Sequence, residues 1–434
     1  MKKAVVVFNN VRLALFPIGY GVIGALVGGT LNRVFIADIG LAASLVGFLF
    51  AIQYLVSPLR VWLGYRSDGF PILGKRREPY MILGALVFAV GITGAAMLVV
   101  SSIESQSVLI TGMVFAFIVY GIGRNLAHNS YQALLTDKFA AEKRQRAITL
   151  YEVATLVGSV AGAGGLGKAL EVYDPTKLVS VTVGAAGLAF VFALLGSLRQ
   201  EPELVVETSR KARAQNFRQT LKDVVLPDPQ VRLFFIIVMF TFIGTLAQDV
   251  LLEPYGALVL DMEVGETTRL TAFWGIGVLV SLLLSGLFLI KFVGYMRLMR
   301  TGIIASIVVF AGVITIGFAG QPGAFKGLVF VMGLGTGLAG AGMLSGVVTF
   351  TTAIRAGLLM GVWGMANLIG KAAGSLMGGI VVDVVLRFTS GNAFAAYATV
   401  FGLEIVMLTI ALVLTTKLRI EDAKVQQESA QALA

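Results

Sequence analysis

Five polar side chains, Arg124, Asn125, His128, Asn129 and Gln132, interrupt an otherwise apolar stretch of this 434-residue chain. Wound as an α-helix at about 100° per residue, they fall within an arc of roughly 140° and can line one cavity. The same face could instead hydrogen-bond neighbouring helices and hold a bundle together. A second set, Asn32 and Arg33 with Asp249 and Glu253, places an amide, a guanidinium and two carboxylates near the ends of two other apolar stretches. An ion pair between Arg33 and Asp249 or Glu253 would neutralise charges too costly to leave alone in lipid and would act as an outer gate or latch. Separate solvated charges at helix ends fit the same residues equally well. With no cysteine and one histidine, disulfides, thiolate sites and two-histidine metal motifs are excluded. No nucleophile, base and orienting group occur together, so enzymatic chemistry is not expected.

The elements that must position these groups follow from composition. At 57% hydrophobic and 13% charged residues, with mean hydropathy +0.88, the chain is too apolar for a water-solvated globule. It reads as an all-α membrane protein. Twelve apolar stretches of bilayer-spanning length appear, at about 13–36, 41–63, 80–102, 108–135, 146–171, 177–198, 232–258, 267–290, 298–320, 324–353, 356–386 and 391–416. The start, Met1-Lys2-Lys3 and a very short apolar run before Asn9-Asn10, lacks a signal-peptide core, so the first span is expected to be retained. The expected organisation is a six-helix half over 1–198, a linker over 199–231, a second six-helix half over 232–416 and a tail over 417–434.

The formal net charge of +10 could point to nucleic acid, but the basic residues are distributed as a membrane protein distributes them. With the N-terminus inside, one side collects Lys2, Lys3, Arg66, Lys75, Arg76, Arg77, Lys138, Lys143, Arg144 and the central-loop cations. The opposite loops hold only Arg33, Lys177, Arg269, Lys326 and Arg387. Both termini are therefore expected in the cytoplasm, with no nucleic-acid partner. Within the linker, Phe217, Leu221 and Val225 recur every fourth residue beside Arg218 and Lys222, so this piece is either a helix at the lipid surface or a solvated linker.

The halves echo each other. Ala154-Thr-Leu-Val-Gly-Ser-Val-Ala-Gly162 in the fifth span matches Ala366-Asn-Leu-Ile-Gly-Lys-Ala-Ala-Gly374 in the eleventh, the pattern of a transporter built from parallel six-span repeats. The loop between the second and third spans, from Gly64 through Asp68 to Gly74, Lys75, Arg76 and Arg77, resembles the major facilitator loop signature. Three extra residues separate Asp68 from Gly74, which departs from the usual spacing. The resemblance narrows with Leu31-Asn-Arg-Val34 and Asp38, Gly64-Tyr-Arg-Ser-Asp68, and Gln248-Asp-Val-Leu-Leu-Glu-Pro-Tyr-Gly256. Together these resemble the bacteriochlorophyll-delivery branch of the major facilitator superfamily, the PucC and LhaA type.

That resemblance implies a fold of two pseudo-symmetric six-helix halves in an inner or photosynthetic internal membrane. It implies a light-harvesting assembly factor whose cargo is chlorophyll or bacteriochlorophyll, with antenna or photosystem polypeptides and membrane lipids as partners. The pigment magnesium would need an axial ligand, for which His128 is the first candidate and Asn125, Asn129 and Gln132 are alternatives. A lone membrane histidine also serves as a helix-packing hydrogen bonder. No dedicated metal site is expected. The competing expectation is a proton-coupled secondary transporter of a small or lipophilic solute. Glu404, about 13 residues into the last span, is its candidate proton site, and Lys168, Lys371 and Asp383 are further ionisable groups in or near spans.

Overall fold

The computed structural model describes residues 9–56, 59, 71–101, 105–139, 141–201, 229–246, 248–349 and 356–418. Among these the chain is helical apart from turns and one isolated bridge between Ile72 and Lys75. The helices of the first half are α1 (Asn9–Asp38), α2 (Ala43–Leu55), α3 (Glu78–Val99), α4 (Gln106–Lys138), α5 (Ala141–Ala169) and α6 (Pro175–Ser197). Those of the second are α7 (Pro229–Leu246), α8 (Gln248–Leu260), α9 (Val264–Val293), α10 (Tyr295–Ala319), α11 (Pro322–Thr349), α12 (Ala356–Phe388) and α13 (Ala393–Thr415). They stand where the twelve spans are expected, with α7 and α8 sharing the seventh position. Nine stretches among the described residues are long and apolar enough to cross a membrane. The seventh position falls outside that set because its described apolar helices, Arg232–Thr245 and Leu251–Leu260, are each shorter than a full span. The central piece with Phe217, Leu221 and Val225 lies outside the described residues, as do Gly64 and Asp68.

Local chemistry sets several helix ends. Pro79 and Pro175 occupy first turns, where a missing N–H costs nothing. Asp174 caps α6 by accepting from the Lys177 N–H at 2.7 Å, and Asn392 caps α13 by accepting from Ala395 at 2.9 Å. Gly320 ends α10 in the left-handed region, φ +63°, which a side chain would resist.

The chain packs into two compact units, Met1–Arg210 with Asp249–Gly275, and Lys211–Gln248 with Ile276–Ala434. In the first, 249–275 joins the first six spans through identifiable contacts. Thr30 and Thr268 hydroxyls lie 3.3 Å apart, and a Cβ on Gly265 would stand 2.5 Å from the Gly167 carbonyl oxygen. The α3–α4 pair is also knit by small residues, because Cβ atoms at Gly84, Gly91 and Gly123 would each come within 2.5 Å of the facing backbone. Without a hydrophobic drive between helices in lipid, such backbone proximity is a main source of association.

The sequence repeat has a structural counterpart inside each unit. Gly158 of α5 lies against α1, where a Cβ would be 2.1 Å from the Ile18 carbonyl oxygen. Gly370, at the matching place in the repeat, lies against α7, where a Cβ would be 2.5 Å from Phe242 Cβ. The fifth and first spans thus meet as the eleventh and seventh do.

Candidate functional site

α4 runs unbroken from Gln106 to Lys138 and carries the polar face. Arg124 is half-buried; its Nε donates to the Tyr20 hydroxyl at 2.7 Å and its Nη1 to the Gln53 side-chain oxygen. Its guanidinium carbon stands 4.8 Å from the Tyr20 ring centre and 6.0 Å from that of Tyr120. Asn125 is buried and ties α4 to α2 by donating to the Gln53 carbonyl at 2.9 Å and to the Gly121 carbonyl at 2.8 Å. His128 is half-buried in an aromatic cluster. Its ring stacks on Tyr20 with centroids 5.3 Å apart and lies 5.5 Å from Tyr151, while Tyr131 stands 5.0 Å from Tyr151 and 4.6 Å from Phe16. Asn129 and Gln132 are half-buried on the same helix. One helix face thus combines a cation, an imidazole and flat aromatic surface.

The set around Arg33 is arranged differently from the expectation. Asn32 and Arg33 are buried, and Arg33 Nη1 pairs with Asp38, while Nη2 donates to the Met262 carbonyl at 3.2 Å. The Glu253 carboxylate is buried and accepts from the Thr271 hydroxyl at 2.7 Å, facing Gly29. Arg33 therefore has its carboxylate on its own helix, in place of the expected Glu253. The cause is a change of winding: Leu26–Leu31 and Val34–Asp38 are π-helical, flanking Asn32 and Arg33. A wider turn bonds i to i+5, as Ile39 N–H to Val34 O at 3.0 Å shows, and so stacks residue 38 beside residue 33. Asp249 lies on α8, with its side chain outside the described set. Nearby, burial and the carboxylates of Asp38 and Asp174 push the Tyr173 hydroxyl above the ordinary tyrosine range.

At the end bearing Lys138, two carboxylates grip each other's backbone. Glu201 accepts from the N–H groups of Arg76 (2.7 Å), Arg77 (2.9 Å) and Glu78 (3.4 Å) at the start of α3. Glu78 in return accepts from Arg199 (3.1 Å), Gln200 (2.7 Å) and Glu201 (2.7 Å), just past α6. The chain can offer those three donors together because Arg199 adopts φ +56°. Arg77 Nε donates to Asp137 at 2.8 Å, and Lys75 pairs with Glu78. Lys138 donates to Gln200; burial, and after it Arg12, hold its ammonium below the usual lysine range, with Glu78 opposing. Gly74, at φ +75°, supplies the turn that brings Arg76 and Arg77 to this clasp. Among the described residues no group of three or more metal-ligating side chains gathers.

The profile described as PUCC protein matches residues 30–423. The chain belongs to the PUCC protein family. Its relatives include "Protein PucC" of Rhodobacter capsulatus, 31% identical over 92% of this chain and 90% of that one. Another from the same organism, "Uncharacterized protein in puhA-bchM intergenic region", is 30% identical over 92% and 87% of the two chains. A third, "Bacteriochlorophyll synthase 44.5 kDa chain", is 29% identical over 93% and 94%. Among solved structures, a bacterial homologue of the iron transporter ferroportin superposes with TM-score 0.71 at 12% identity, covering 95% of this chain and 98% of that one. The xylose transporter XylE from E. coli gives 0.69 at 17% identity, over 96% and 98%. This PUCC-family chain therefore has the major facilitator fold.

Several partners of the polar face were silent in the sequence. Tyr20, Gln53 and Tyr151 lie 108, 75 and 23 positions from His128, with no periodicity to link them. Glu78 and Glu201 read alone as surface carboxylates. Only the packing of α1, α2, α4 and α5 in one unit turns the first three into partners of the polar face.

Proposed function

We propose that this PUCC-family protein is a non-enzymatic assembly factor that holds chlorophyll or bacteriochlorophyll in the membrane and delivers it to antenna or photosystem polypeptides. The observation that carries the reading is His128, half-buried on α4, stacked on the Tyr20 ring and flanked by the tilted ring of Tyr151. Imidazole is a fitting axial ligand for pigment magnesium, and aromatic surface suits a planar macrocycle. The relatives, PucC and a bacteriochlorophyll synthase chain by name, support the cargo class. Arg124, Asn125, Asn129 and Gln132 would line the same site, and Asn32, Arg33, Asp249 and Glu253 would form its outer gate. Proton-coupled transport is the second reading, supported by the fold of the D-xylose–proton symporter (TM-score 0.68) and by Glu404, fully buried in α13.

Gently solubilised protein should show the absorption of bound pigment, and His128→Leu should lower its pigment content on the order of tenfold at normal expression. Unchanged pigment content and spectrum in His128→Leu would return the histidine to helix packing. Uptake that collapses with the proton gradient, in pigment-free protein, would favour the transporter.

The proposed location is an inner or photosynthetic internal membrane with both termini and the 199–231 linker cytoplasmic, from the lysine and arginine asymmetry. Single cysteines introduced at positions 105, 206 and 430 test it directly. Only position 105 should react with an impermeant outside reagent in intact cells; labelling at 206 or 430 would overturn the orientation.

A further inference from the structure

Three helices of the first unit bring oxygen atoms to one place. α8 supplies the Glu253 carboxylate, 3% exposed, and α9 supplies the Thr271 hydroxyl, which donates to it at 2.7 Å. Thr268, one turn before Thr271 on the same face of α9, is fully buried, with its hydroxyl 3.3 Å from that of Thr30 on α1. Beside Thr30, Gly29 leaves room where a side chain would stand: a Cβ there would lie 2.7 Å from Thr271 Oγ1 and 3.6 Å from Glu253 Oε1. A further oxygen comes from the backbone of α8. Pro254 has no N–H, so the Val250 carbonyl loses its helical partner, and residues 250, 253 and 254 share one side of that helix. Arg33, the cation on the same helix as Gly29 and Thr30, is answered by Asp38.

We propose that these oxygens form a sodium site, with Glu253 as its charged ligand. A bare carboxylate in a membrane-spanning segment is expensive, and a bound cation removes much of that cost. Carboxylate, hydroxyl and carbonyl oxygens are the donors that a hard cation takes. One carboxylate among neutral oxygens balances one positive charge, which suits a monovalent ion better than calcium, whose sites gather several carboxylates. The space beside Gly29 faces donors from both α8 and α9, so a side chain at position 29 would crowd the ion. Counting histidines and carboxylates overlooks such a site, because three of its side-chain donors are hydroxyls. The ion would tie α1, α8 and α9 together, and the site stands whether or not the His128 face carries pigment.

The test follows the half-life of purified, detergent-solubilised protein at fixed temperature in sodium chloride and in N-methyl-D-glucamine chloride at equal ionic strength, so that screening is the same in both. Sodium at about ten times its Kd should favour the folded state about tenfold and lengthen the half-life accordingly. Glu253→Gln should keep the Thr271 hydrogen bond and lose the sodium response. Thr271→Val, nearly the same shape without the hydroxyl, should weaken the apparent sodium affinity on the order of tenfold. Equal half-lives of the wild-type protein in the two salts overturn the site, and so does a sodium response that persists in Glu253→Gln. If the variants fail to fold, binding of radioactive sodium to the wild-type protein decides: saturable, stoichiometric binding supports the site and its absence overturns it.

Discussion

Arg33→Met should destabilise the protein by on the order of 3–5 kcal/mol, because it strips a buried carboxylate of its cation. The Asp38 side chain is 15% exposed and that of Arg33 9%, so water can do little for either charge once the pair is broken. Asp38→Asn should do comparable damage, because its amide oxygen can accept from Arg33 but brings no charge to balance the buried guanidinium. The double change Arg33→Met with Asp38→Leu should recover most of the loss, since removing both charges removes the desolvation penalty with the attraction. Glu253→Gln should be milder, because an amide oxygen can still accept from the Thr271 hydroxyl. The half-life of detergent-solubilised protein at fixed temperature gives the ranking. A harmless Asp38→Asn beside a damaging Glu253→Gln would restore Glu253 as the partner of Arg33.

That prediction turns on what a sequence can and cannot encode visibly. Helical periodicity placed Arg124, Asn125, His128, Asn129 and Gln132 on one face, and α4 is an uninterrupted helix, so the geometry assumed was the geometry present. The fifth-span and eleventh-span repeat was legible for the same reason, and Gly158 and Gly370 do meet equivalent helices. The pairing of Arg33 with Asp38 arises where regular winding stops, and a sequence reading that looks to Glu253 or Asp249 does not find it. Residue 38 is not on the face of residue 33 in an α-helix, and nothing in Leu26–Asp38 announces two π segments. The aromatic lining of His128 is a tertiary fact: Tyr20 and Tyr151 come from helices on either side of α4 in chain order. Charge counting likewise found the basic residues 75–77 but not the acceptor that organises their backbone, Glu201.

Glu78→Ala should cost on the order of 3 kcal/mol or more, the largest effect expected at the clasp. The Glu78 side chain is 3% exposed, and its two oxygens accept from three consecutive backbone N–H groups and from Lys75. A hydrogen bond to a charged group contributes about 1.5–3 kcal/mol, and deleting the acceptor leaves Gln200, itself 4% exposed, with a buried donor. Arg199 adds to the penalty, since its φ of +56° is held against its own preference by those bonds. Glu78→Gln should fall between wild type and alanine: one amide oxygen can accept from part of the turn, but the amide nitrogen would point a donor at donors. Glu201→Ala should be the mildest, about 1–2 kcal/mol, because its bonds to the start of α3 resemble an ordinary helix cap and hold no residue in the left-handed region. The order of thermal half-lives is therefore Glu201→Ala, then Glu78→Gln, then Glu78→Ala, from longest to shortest. Glu78→Gln with wild-type stability would mean that the shape of the side chain, and not its charge, holds the turn at 199–201 against the start of α3.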